Sequence, residues 1–183
     1  MQNTLIQIAL FLVTTLFNLY ILAIMLRFLL QWVKADFYNP ICQMLIKVTK
    51  PLLKPLRRII PGFFGLDFAA IVLIYVLELI LMTIIASLVS FPITSYILLV
   101  ALGKALVLLL NLYFFAILIR AIASWSNTNP YQPLFVLLDQ LTDPVLKQAR
   151  RLLPQLGGFD FSPLLTLIVI QVLVIFIRNL LGA

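Results

Sequence analysis

The chain contains an internal repeat, because its second half aligns with its first half at an offset of 93 residues without a gap. Over residues 18–80 and 111–173, roughly a third of the aligned pairs are identical. Apolar composition alone can match Leu with Leu, but it cannot align Asn, Arg, Trp, Pro, Gly and Asp in one register. A repeat determines the architecture, so two copies of one structural unit are expected. The matched pairs include Asn18 and Asn111, Arg27 and Arg120, Trp32 and Trp125, Thr49 and Thr142, and Asp67 and Asp160.

The composition places this repeat in a lipid bilayer. Hydrophobic residues make up 64% of the chain and charged residues 10%, whereas a soluble domain carries about 25% charged residues. The mean hydropathy is +1.17, and several apolar stretches exceed the roughly 20 residues that cross the hydrocarbon core. Because these stretches are continuous rather than alternating, they indicate α-helices.

Each copy is predicted to be a membrane helix, a long loop and a second membrane helix. The first copy covers residues 1–92 and the second covers 93–183, and a short turn near 90–94 joins the second and third spans. Two spans per copy bring both copies into the membrane from the same side, so the repeats are parallel rather than inverted. The predicted fold is an all-α membrane protein with four transmembrane helices, at residues 4–33, 67–90, 94–125 and 161–182.

The long loops, residues 34–66 and 126–160, are predicted to be amphipathic and interfacial, each with two short helices. Asn39 and Pro40 can begin the first helix of copy one, and Thr49 (Thr142 in copy two) can cap the second. Nine of the 13 Lys and Arg residues lie in these loops. The positive-inside rule therefore places both loops in the cytoplasm and both termini outside.

Three basic residues in each loop share one helical face and form the first candidate site. They could bind the phosphate groups of anionic lipids. Two alternatives stay open. In the first, the positive charge serves only to orient the protein in the membrane. In the second, the arginines pair with Asp67 and Asp160, which are placed to cap the next membrane helices. The basic residues are Lys54, Arg57 and Arg58 in copy one, and Lys147, Arg150 and Arg151 in copy two.

Four polar residues inside the spans form the second candidate set. Glu78 and Lys104 are predicted to lie at nearly equal depth on adjacent antiparallel helices. They could form a buried ion pair that clamps the hairpin, or a proton or cation relay. The repeated Asn18 and Asn111 fit interhelical hydrogen bonding at least as well as ion coordination. Arg27 and Arg120, near the cytoplasmic ends of their helices, can snorkel to the surface, and Trp32 and Trp125 fit an aromatic belt.

The repeated motif resembles the YggT family, also called YlmG. The motif is T-x-P-x-L-K-x-x-R-R-x-[IL]-P followed by G-x-D-F, after a helix that ends in Trp, and the resemblance covers nearly the whole chain. Copy two departs at Gln148, where copy one has Pro55, and it lacks the basic residues Lys47 and Lys50. The resemblance implies a bacterial inner-membrane protein, or a plastid one in plants. It also implies a link to osmotic or salt tolerance, to cell division and nucleoid distribution, or to cytochrome assembly.

Two non-enzymatic functions are therefore expected. The first is support of osmotic or ion tolerance, as part of a channel or transporter. The second is a membrane scaffold or assembly factor that binds anionic lipid or a protein partner through the basic loops. The chain has no histidine and one cysteine, Cys42. No enzyme activity, cofactor, metal site or direct nucleic-acid contact is expected. The expected partners are membrane lipids and either a second copy of the chain or another membrane protein.

Overall fold

The computed structural model describes residues 2–62, 65–89, 95–125, 132–152 and 160–181. The regular secondary structure of these ranges consists of six α-helices. In chain order they are α1 (Gln2–Trp32), α2 (Pro40–Ile59), α3 (Phe68–Leu88), α4 (Tyr96–Trp125), α5 (Pro133–Leu152) and α6 (Ser162–Leu181). The predicted turn at 90–94, and the second copy's Pro154 and Gly158, lie outside the described residues.

Four of these helices are long and apolar enough to cross a bilayer: α1, α3, α4 and α6. They match the four predicted spans to within a few residues, which confirms the predicted fold class. Many large apolar side chains of α1 and α6 point away from the protein, including Phe11 at 67% exposure and Phe176 at 60%. Such surfaces suit contact with lipid tails, because water would make their exposure unfavourable.

The prediction of two short helices in each loop is wrong, because one continuous helix of 20 residues covers both predicted segments in the described part of each loop. Asn39 caps α2 as predicted, and its side chain accepts a hydrogen bond from the backbone N–H of Ile41. Thr49 lies in the middle of α2 and caps nothing. Pro51 and Pro55 are exposed and each lacks one helical hydrogen bond, but packing along the buried face outweighs that loss. The buried face follows helical spacing through the predicted break, at Cys42, Leu45, Thr49 and Leu53.

Both loop helices lie at the same end of the bundle, as parallel repeats require. Helix α2 packs on α1 and α3, α5 packs on α4 and α6, and α2 and α5 contact each other. The side chain of Asn39 donates a hydrogen bond to the backbone carbonyl of Pro133 at 2.8 Å, which links the beginnings of the two loop helices. Gly65, with φ of 79°, turns the chain toward α3 in a conformation that suits glycine.

The two copies are not packed equivalently. Helix α5 also contacts α1, whereas no contact joins α2 to α4 among the described residues. As a result Met44 and Val48 of α2 are 59% and 48% exposed, while their counterparts Leu137 and Leu141 of α5 are 4% and 1% exposed. This apolar surface of α2 is therefore exposed, whereas the corresponding surface of α5 is buried inside the protein.

Candidate functional site

A buried arginine attaches α2 to the first span. The guanidinium of Arg27, which is 9% exposed, donates a 2.6 Å hydrogen bond to the hydroxyl oxygen of Thr49. The Thr49 hydroxyl in turn donates to the backbone carbonyl of Leu45 at 2.7 Å. The expectation that Arg27 snorkels to the surface is wrong, because α2 covers this end of α1 and supplies an acceptor.

The second copy repeats this contact and adds two carboxylates. Arg120 donates to the hydroxyl of Thr142 at 2.7 Å. It also forms ion pairs with Asp139 at 2.7 Å and Asp143 at 2.9 Å. The guanidinium of Arg120 therefore has three acceptors near the end of α4.

Copy one lacks the two carboxylates. The repeat places Ile46 where copy two has Asp139, and Lys50 where copy two has Asp143. Neither side chain can accept a hydrogen bond from a guanidinium. The buried Arg27 therefore depends on its threonine more than Arg120 does.

Sequence reasoning missed both arginine–threonine contacts. The signal was present, because arginine and threonine recur with the same separation of 22 residues in each copy. Thr49 and Thr142 are both fully buried, at 0% exposure. Because these threonines were expected to cap helices, their role as hydrogen-bond acceptors for the arginines of the spans was not predicted.

The pairing of arginine with aspartate at the start of the second span of each copy is confirmed. Arg57 forms an ion pair with Asp67, and Arg150 forms one with Asp160 at 2.9 Å. Asp67 also caps α3, because its side chain accepts from the backbone N–H of Ala70. Partial burial by itself raises the pKa of Asp160, but hydrogen bonds from the Ser162 backbone and from Arg150 outweigh it and lower the pKa below its usual value.

These contacts divide the predicted basic cluster into two groups. Arg57 and Arg150 are structural, and Lys147 lies 3.6 Å from Asp143. Among the described residues, Lys54, Arg58 and Arg151 form no ion pair within 4.0 Å. On α2 the unpaired cations extend into a line at helical spacing, which we call the basic stripe: Lys47, Lys50, Lys54 and Arg58.

The exposed apolar surface of α2 lies beside the basic stripe. At 100° per residue, the stripe and the apolar residues occupy neighbouring sectors, and the buried face occupies the remaining one. This arrangement is typical of a helix that lies in the membrane interface. The apolar sector consists of Met44, Val48, Leu52 and Ile59.

The four polar residues predicted inside the spans meet in one cleft. Asn18 of α1, Glu78 of α3, and Lys104 and Asn111 of α4 line a space of about 360 Å³, which we call the polar cleft. Arg178 of α6 lines it as well, so all four spans contribute. Sequence reasoning did not connect Arg178 with this set, because its position near the C-terminus gave no indication of the neighbouring helix.

The expected ion pair between Glu78 and Lys104 is not formed. No nitrogen–oxygen distance between these two described residues falls within 4.0 Å. Glu78 is 1% exposed, and its Oε2 has no hydrogen-bond partner among the described residues. An unpaired carboxylate oxygen at this depth is costly and is more typical of a functional site than of a structural contact.

Comparison with known proteins places this arrangement in a family. Residues 6–89 and 99–181 match the family model described as CCB3/YggT. The chain belongs to the CCB3/YggT family. The two matches begin 93 residues apart, so each copy of the repeat is one CCB3/YggT unit.

Several proteins are similar to this CCB3/YggT chain. "Uncharacterized protein PA0392" of Pseudomonas aeruginosa is 40% identical over 178 residues, which cover 96% of this chain and 90% of that protein. "Uncharacterized protein YggT" of Escherichia coli (strain K12) is 38% identical over 166 residues, covering 89% and 85%. "Uncharacterized protein ycf19" of Guillardia theta is 38% identical over 72 residues, covering 39% and 79%. No solved structure matches the chain.

The two arginine–threonine contacts generate a matched prediction. Thr49→Val removes the one hydrogen bond that the guanidinium of Arg27 makes among the described residues. We therefore expect a loss of about 2 kcal/mol in unfolding free energy. Thr142→Val leaves Arg120 its two carboxylates, so we expect a loss below about 1 kcal/mol. Unfolding by SDS titration in mixed micelles measures both. Equal losses would show that the missing carboxylates do not make Arg27 more dependent on its threonine.

Proposed function

We propose that this protein resides in the bacterial cytoplasmic (inner) membrane with both loop helices in the cytoplasm and both termini outside. The asymmetry of charge supports this orientation, since nine of the 13 Lys and Arg residues lie in the two loops. The packing of α2 against α5 at one end of the bundle supports it too, because both loops then share one side.

We further propose that the protein is not an enzyme and supports osmotic or ion-stress tolerance as part of a channel or transporter. The single observation that carries this proposal is the polar cleft, which brings charged and amide side chains from all four spans together. Glu78 is buried there, whereas Asn18, Lys104 and Arg178 are exposed along the apolar spans. Charged residues within membrane spans are expensive and commonly mark the path or binding site of a solute.

A complete pore needs more than one copy under this proposal. Four spans are few for a pore within one chain, and a cleft of about 360 Å³ has the volume of a small-molecule site. We therefore expect the transporting form to be a homo-oligomer or a complex with another membrane protein.

A second function is favoured by a different observation, the unpaired basic stripe of α2. Its four cations lie beside an exposed apolar sector, and such a helix binds anionic leaflets through charge and apolar burial together. The protein would then act as a membrane scaffold or assembly factor, for example in cell division, nucleoid distribution or cytochrome assembly.

Thiol labelling tests the proposed orientation. Burial raises the pKa of the Cys42 thiol, with a further contribution from Asp36, and Cys42 is 1% exposed. We therefore expect native Cys42 to resist a membrane-impermeant maleimide until the protein is unfolded. In a Cys42→Ala background, exposed Lys50→Cys should react in inside-out vesicles and not in intact spheroplasts. Labelling in intact spheroplasts would contradict a cytoplasmic α2.

Flux through proteoliposomes tests the transport proposal. We expect the wild-type protein to carry potassium or a small organic solute faster than empty vesicles do. Glu78→Gln should reduce this flux by about tenfold or more, because it removes the buried charge of the polar cleft. Lys34→Gln, at an exposed position outside the polar cleft and the basic stripe, is the control and should leave flux unchanged. Wild-type flux equal to that of empty vesicles would remove the transport function.

Lipid retention tests the scaffold function. Replacing Lys47, Lys50, Lys54 and Arg58 together by Gln should weaken binding to anionic vesicles by about 1 kcal/mol per charge at low salt. The matched change in copy two, Lys147→Gln with Arg151→Gln, should have a smaller effect because it removes two charges. Vesicle co-flotation over a series of salt concentrations measures both. Undiminished binding by the fourfold variant would exclude the basic stripe as the lipid contact.

A further inference from the structure

The polar cleft contains charges of both signs. Glu78 supplies a carboxylate, Lys104 and Arg178 supply cations, and Asn18 and Asn111 supply amides that can donate or accept. A bound monovalent anion would leave Glu78 without a partner, and a bound metal cation would face two positive side chains. A ligand that carries both charges satisfies all three ionic groups, which matters most for the buried Glu78.

The positions of the charges indicate how such a ligand lies. Gln171 of α6 is the repeat counterpart of Glu78, and Arg178 is seven residues further along α6. At 1.5 Å per residue, Arg178 is therefore about 10 Å nearer than Glu78 to the end of the bundle opposite the loop helices. The volume of about 360 Å³ lies near the lower end for ligand sites, which favours a small molecule.

We propose that the polar cleft binds a small zwitterion. Its ammonium group pairs with the carboxylate of Glu78, its carboxylate or phosphate lies between Lys104 and Arg178, and Asn18 and Asn111 complete its hydrogen bonds. This inference deepens the proposed transport function, on which it rests, by naming the class of solute. The same chemistry has two sources: a free amino acid or amino phosphate, and the phosphoethanolamine headgroup of a lipid.

Thermal unfolding of the full chain in detergent tests the zwitterion requirement without any variant. The zwitterionic probes are 4-aminobutyrate and O-phosphoethanolamine, and the single-charge probes are ethanolamine and inorganic phosphate. For a free solute, at matched concentration and ionic strength, we expect a zwitterion to raise the unfolding temperature by about 3 °C or more, and each single-charge probe to raise it far less. An equal rise with ethanolamine or phosphate alone would overturn the proposal in favour of a simple ion site.

Variants then place the ligand in the polar cleft. Glu78→Gln should abolish the zwitterion's stabilising shift, and Arg178→Gln should weaken its apparent affinity about tenfold or more. The copy-related position holds Gln171 in a membrane helix, so Glu78→Gln is compatible with folding. Lys34→Gln, at an exposed position outside both the polar cleft and the basic stripe, is the matched control and should leave the shift unchanged. A full shift in Glu78→Gln would overturn the assignment of Glu78.

Native mass spectrometry distinguishes the two sources. A headgroup ligand predicts that the wild-type protein retains phosphatidylethanolamine, that Glu78→Gln releases it, and that the free probes produce no shift. A free solute predicts the shift with the probes and no difference in retained lipid. The proposal is overturned if the probes produce no shift and the wild-type protein and Glu78→Gln retain the same lipid.

Flux measurements separate this inference from the proposed function. Zwitterion binding without flux above empty vesicles would leave the binding site intact and remove transport. Potassium flux with no zwitterion binding would leave transport intact and remove the zwitterion site.

Discussion

The structure depends on a hydrogen bond between a span and the helix that covers its end. Arg27 reaches Thr49 at 2.6 Å, and Arg120 reaches Thr142 at 2.7 Å. A guanidinium always carries its charge, so it needs acceptors wherever water is excluded. The threonine hydroxyl supplies one acceptor and donates its own proton one turn back along its helix. This contact holds each amphipathic helix to its bundle by a directed bond as well as by apolar packing.

The arginine–threonine contact itself recurs in both copies, although the two carboxylates beside Arg120 occur only in copy two. The arginine, the threonine and the aspartate at the next span recur in both copies, whereas Glu78 corresponds to Gln171 and Lys104 to Phe11. The repeated residues thus build the scaffold twice, and the unrepeated charges build one polar cleft. The basic stripe is also specific to α2, because α5 has Gln140, Asp143 and the paired Lys147 at three of its four positions. The duplicated unit therefore supports two surfaces that each occur once.

The parts of the fold that sequence predicts are those with local periodicity or a repeated register. Long apolar runs locate the four spans, and charged loops separate them. Asp67 and Asp160 stand at helix starts with arginines ten residues earlier, so their pairing could be predicted from that repeated separation. The continuity of α2 could not be predicted from local signals, because Thr49 and Pro51 resemble a helix start. Packing of Leu45 and Leu53 on the bundle decides the matter. The presence of Arg178 in the same cleft as Glu78 depends on how α6 lies against its neighbours, and no local sequence pattern indicates this.

The prolines of α2 limit how deeply this helix can sit in the membrane. Pro51 and Pro55 have no N–H, so the carbonyl oxygens of Lys47 and Pro51 receive no hydrogen bond from the helix. Hydrocarbon offers such oxygens no donor, whereas hydrated headgroups offer many. We therefore expect α2 to remain at the level of water and headgroups, with only its apolar sector in contact with the acyl chains. Helix α5 contains one such proline, Pro144, so only one of its carbonyl oxygens lacks a helical donor for this reason.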